Sequence, residues 1–126
     1  MSLRYKLLGM PVTLDEYVDK LKKKNVSEVG LNFSMDLEGP DMFLGDVGFT
    51  EYYQATFTSP KGTFKKEWVP CPFYSREGQQ KEAVTKITDL IAMFKENGVE
   101  VSIDFNSIYS HLTKIPKEFI LDSLAN

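Results

Sequence analysis

Hydrophobic side chains recur along this chain at two spacings, and the switch between them lays out the elements. Leu14, Tyr17, Val18 and Leu21 follow the i, i+3, i+4, i+7 stripe of a helix with one buried face. Thr13-Leu14-Asp15-Glu16 has the form of a capping box, and Val12 and Tyr17 stand where a hydrophobic staple would close. Lys20, Lys22, Lys23 and Lys24 crowd the end of this helix, a solvated face that complements the helix dipole, and Asn25 stops it. The spacing then becomes two. Val29, Leu31, Phe33, Met35 and Leu37 alternate with polar neighbours as a strand with one buried and one wet face.

Glu38-Gly39-Pro40-Asp41 reads as a turn or loop. Met42-Phe43-Leu44, bracketed by glycines, is a short strand, a bulged strand start or a loop exposing apolar side chains. From about Val47 to Thr58, one face carries Val47, Phe49, Tyr53, Ala55 and Phe57, and the other carries Thr50, Tyr52, Gln54, Thr56 and Thr58. Ser59-Pro60-Lys61-Gly62 suits a type I turn. Pairing Thr58 with Thr63 across it sets Phe57 against Phe64, Ala55 against Lys66 and Tyr53 against Trp68, so apolar side chains meet on one face. Pro70-Cys71-Pro72 ends the return strand, because two prolines cannot donate to a ladder.

A second helix follows from the stripe Ala83, Val84, Ile87, Leu90, Ile91 and Phe94, with Ser75 as a cap, Glu77/Lys81 and Glu82/Lys86 as surface pairs, and Asn97-Gly98 as a left-handed stop. Val99, Val101, Ile103 and Phe105 alternate as a last strand. Asn106 to Leu112 is a helical turn or short helix, and Pro116 suits the first position of a C-terminal helix carrying Phe119, Ile120 and Leu124. With Leu3, Tyr5 and Leu7 as a short first strand, the order is β-α-β-β-β-α-β-α. That order predicts a single α+β domain over 1–126, with a mostly antiparallel sheet of four to five strands and two or three helices covering one face.

Composition narrows the functions. The chain has 126 residues, 42% hydrophobic and 13% aromatic, with a formal net charge of -3. This is a globular balance, and its sign opposes a general phosphate-backbone binder, so no nucleic-acid partner is expected. No apolar run of about 18 residues is present, so no membrane partner is expected. A lone Cys71 fits a reducing compartment, and the protein is read as cytoplasmic.

The average charge hides a division. Asp36, Glu38, Asp41, Asp46 and Glu51 lie in a stretch, from Asn25 to Pro60, that has no Lys or Arg. From Lys61 to Lys95 the basic residues prevail, an arrangement that favours a protein partner or self-association. The acidic stretch lacks the convergent spacing of a calcium loop and is read as a solvated edge, so no metal site is expected. His111 and Cys71 are each single in the chain, and nothing around them resembles a nucleophile motif. No catalytic residue and no cofactor is assigned.

Glu51 and Lys66 interrupt the apolar faces of their strands. They are expected to reach water at a bulge or at the sheet edge; if they do not, Glu51, Tyr53, Lys66 and Trp68 would line a small-ligand pocket. A strand ending near Val69, then Ser75-Arg76-Glu77-Gly78-Gln79-Gln80, a helix and a strand, resembles the cofactor-loop region of acyl-CoA N-acetyltransferases. The resemblance implies an acetyltransferase-like domain, although only Gly78 of the loop's glycines is present, so its cofactor loop would be degenerate. The first expectation is instead a non-enzymatic interaction domain of the inhibitor, immunity or accessory type. Its surface would comprise Asp41, Met42, Phe43, Leu44, Asp46 and Tyr52, and a homodimer through the Val99 to Phe105 edge is a second route to association.

Overall fold

A computed structural model of the chain describes residues 13–38 and 50–125, with side chains for 13–35 and 52–125. The first apolar stripe forms helix α1, Leu14–Lys23. Thr13 caps it, its Oγ1 accepting from the Glu16 amide at 3.1 Å. At the other end Asn25 takes a left-handed φ of 58°. The Val26 amide donates back to Leu21 O at 2.9 Å and the Asn25 amide to Lys22 O at 3.2 Å, the two bonds of a Schellman stop.

Strands β1 (Glu28–Glu38), β2 (Thr50–Ser59) and β3 (Gly62–Trp68) follow. The hairpin register is the one the apolar alternation predicts: Thr58 opposes Thr63, Phe57 opposes Phe64, Ala55 opposes Lys66 and Tyr53 opposes Trp68. Helix α2, Arg76–Glu96, is capped by Ser75 and ends at Gly98, whose φ is 77°. Strand β4, Glu100–Ile103, joins β1 in parallel. Helices α3 (Phe105–His111) and α4 (Lys117–Leu124) complete the described chain.

Two boundaries differ from the sequence pattern. The last strand stops at Ile103 because the Asp104 side chain accepts from the Ser107 amide at 3.3 Å and starts α3, which turns Phe105 into a helical residue. Pro116 stands one position earlier than expected, at the N-cap of α4. The expected strand from Leu3 to Leu7 lies outside the described residues.

The strand order β3-β2-β1-β4 makes a four-stranded, mostly antiparallel sheet in an α+β fold. Among the described residues β3 and β4 are its edges and run in the same direction, so α2 must carry the chain from one edge to the other. A helix of 21 residues spans about 31 Å, ample for four strands spaced about 4.8 Å apart. The core lies between α2 and the sheet face that carries Val29, Leu31, Phe33, Tyr53, Ala55, Phe57 and Phe64. Tyr17 closes one end, stacked on Phe64 at 5.8 Å and edge-on to Phe94 at 6.1 Å. The opposite face carries Asn32, Ser34, Tyr52, Gln54, Thr56 and Thr58, all exposed or half-buried.

Candidate functional site

The residues singled out from sequence are dispersed. Asp41, Met42, Phe43, Leu44 and Asp46 lie outside the described residues. Tyr52 is half-buried on the polar face, opposite Asp36. Glu51 opposes Leu37 in a register that continues without a bulge, and its side chain is outside the described set. Lys66 is exposed, because β3 is a sheet edge and a long side chain there reaches water.

The other two residues of the suggested pocket meet in an aromatic cluster. Tyr53 is fully buried. Trp68 packs edge-on against it at 5.9 Å and lies 6.3 Å from Phe33. Phe33 in turn has Tyr53 at 5.8 Å and His111 at 6.0 Å. Above this cluster the Lys86 ammonium sits 5.8 Å from the centre of the Trp68 ring. The Trp68 Nε1 is enclosed and has no hydrogen-bond partner among the described residues, so ring packing and the Lys86 cation hold the indole there.

The polar chemistry nearby is consumed internally. His111 Nδ1 donates to Ser107 O at 2.7 Å. Gln80, buried near the start of α2, accepts the Lys114 amide on Oε1 at 2.7 Å and ties the α3–α4 connection to that helix. The Gly78 amide, which a pyrophosphate would need, donates to Ser75 Oγ at 3.0 Å. A side chain at Gly78 would come within 3.3 Å of that oxygen and 3.4 Å of Tyr74 Cβ, so the glycine allows close packing of the cap. Among the described residues no three His, Cys, Asp or Glu side chains converge as metal ligands.

The surface feature outside the expected interaction residues is the segment between β3 and α2. Phe73 is 93% exposed, Val69 53% and Tyr74 50%. The segment is not slack. The Tyr74 amide donates to Cys71 O at 3.2 Å, and Gln79 Nε2 donates to the same carbonyl at 2.9 Å. Pro70 is buried, and Pro72 restricts the turn before Phe73. The result is a fixed loop with an aromatic tip. Its sequence signal was the Pro-Cys-Pro bracket followed by two aromatics, Phe73 and Tyr74, near a loop.

Charge surrounds the loop unevenly. Lys61, Lys65 and Lys66 are exposed on or beside β3, and Lys86 faces Trp68 from α2. At the start of α2, Lys81 pairs with Glu77 at 3.1 Å, and its ammonium lies 5.8 Å over the Phe119 ring. Comparison of the chain with protein-family models, curated proteins and solved structures finds no match.

Proposed function

We propose that this domain is a non-enzymatic protein-interaction module and that the loop from Val69 to Tyr74 is its docking element. The observation that carries the reading is Phe73, whose ring stands 93% exposed on a loop fixed by hydrogen bonds and prolines. Burying such a ring is worth about 1.5–3 kcal/mol, a gain the free domain does not take. A partner pocket that covers it recovers that energy, and because the loop is already ordered, little conformational entropy opposes the gain. Large aromatics at rigid, protruding positions are the common anchors of protein interfaces.

The test places a photoreactive benzoylphenylalanine at position 73, and separately at the exposed Asp89 on α2, in cells that make the protein. The expected result is one discrete protein adduct from position 73 that is missing from position 89. No adduct, or the same adducts from both positions, would refute the proposal.

A further inference from the structure

We infer that the partner's chain adds to the free edge of β3 as an extra strand, and that this added segment is acidic. The inference rests on the interaction reading and names the partner's chemistry at the same site. Among the described residues, β3 pairs with no strand other than β2, so past Gly62, whose carbonyl accepts from Tyr17 and Ser59, alternate residues up to Trp68 direct their backbone amides and carbonyls to a side with no strand. An extended segment that pairs there presents alternate side chains to the two sides of the sheet.

Both sides of this edge carry a lysine. Lys65 lies on the polar side with Thr63 and Glu67, and Lys66 lies on the core side with Phe64 and Trp68. Lys61 stands exposed at the turn, and the Lys86 ammonium reaches the core side over Trp68. Glu67 is the one acid in β3, and its carboxylate accepts from Gln54 Nε2 at 3.4 Å, back across the sheet. A strand carrying carboxylates at alternate and adjacent positions would meet an ammonium on either side.

The same charges disfavour another occupant. A second copy of β3 paired in the registers that set Lys65 or Lys66 opposite a lysine would be repelled, which favours an unlike strand. The opposite edge differs: β4 has four residues and is bordered by Glu28, Glu100 and Asp104, so it would repel an acidic segment. β3 leads directly into Val69 and the Phe73 loop, so an added strand would end beside the apolar anchor.

The test uses fluorescein-labelled peptides of seven residues, the length of β3, alternating Val with Glu or Val with Lys. Fluorescence anisotropy should show the Glu peptide binding about tenfold more tightly than the Lys peptide. The K65E/K66E double variant, both sites being exposed, should keep its urea midpoint and reverse that preference. N-methylation of one alternate set of peptide amides should abolish binding, and methylation of the other set should leave it intact, as strand addition requires. Equal binding of the two peptides, or equal effects of the two methylated sets, would overturn the inference. A Phe73 adduct together with a Glu peptide that fails to bind would discard strand addition and leave the interaction reading in place. Selective binding of the Glu peptide without a Phe73 adduct would support the edge and discard the loop as anchor.

Discussion

Replacing Tyr17 with Phe isolates one hydroxyl that joins α1 to the hairpin. The Tyr17 hydroxyl donates to Gly62 O at 2.9 Å, with Phe57 O further away at 3.4 Å. The ring contacts to Phe64 and Phe94 survive the substitution, so no cavity opens. The Gly62 carbonyl also keeps a second donor, Ser59 Oγ at 3.2 Å, and is not left without a partner. The cost should therefore be that of one hydrogen bond, about 1 kcal/mol, rather than the larger penalty of an orphaned buried acceptor. For a chain of this size that lowers Tm by about 3–6 °C.

The pH dependence supplies a second reading of the same group. Burial pushes the Tyr17 phenol above its ordinary value of 10.0, with the Ser59 hydroxyl pulling partly back. Ionisation is thus easier in the unfolded chain than in the folded one. Below pH 10.0 both states hold the proton and Tyr17 adds no slope. As pH rises beyond that value, the unfolded state releases its proton first, and stability falls toward the folded pKa. Urea unfolding at neutral and alkaline pH measures both effects. Tyr17→Phe should lose about 1 kcal/mol at neutral pH and show a shallower alkaline decline than the parent. A variant as stable as the parent, or one with the same alkaline slope, would refute the assignment.

Three other substitutions probe the connections. Gly62→Ala forces a side chain into a φ of +143°, where the new methyl would also lie 3.1 Å from the Lys20 ammonium; it should cost about 1–3 kcal/mol by urea unfolding. Gln80→Ala removes the acceptor of the Lys114 amide and should cost about 1–3 kcal/mol. Hydrogen exchange at that amide should accelerate, and unchanged protection there would sink the idea. Phe73→Ala should leave stability within about 0.5 kcal/mol of the parent, since the ring is exposed. A large drop in its urea midpoint would mean that the ring supports the fold rather than a partner.

Local signals carried much of this fold. The period of two in β2 and β3 placed Phe57 opposite Phe64 and Tyr53 opposite Trp68, because a slip of one residue would turn every apolar side chain toward water. Asn25 and Gly98 stopped their helices for a reason internal to the residue, the ease of a left-handed backbone. The charge division between the acidic stretch and β3 with α2 was equally legible.

What sequence could not decide was which element lies beside which. Lys66 interrupts an apolar face, and only the placement of β3 at the sheet edge makes it an exposed cation rather than a buried one. The hairpin register brings Tyr53 and Trp68 together, but only the tertiary fold sets Phe33 against both rings and His111 against Phe33. Phe73 shows the converse. An aromatic after two prolines has no intrinsic preference for water, and it is exposed because the Cys71 carbonyl, held by Tyr74 and Gln79, turns the loop away from the core. Periodicity and backbone preference are local and can be read from neighbours in the chain. Exposure depends on contacts between distant residues and is set only when the sheet order and the path of α2 are fixed.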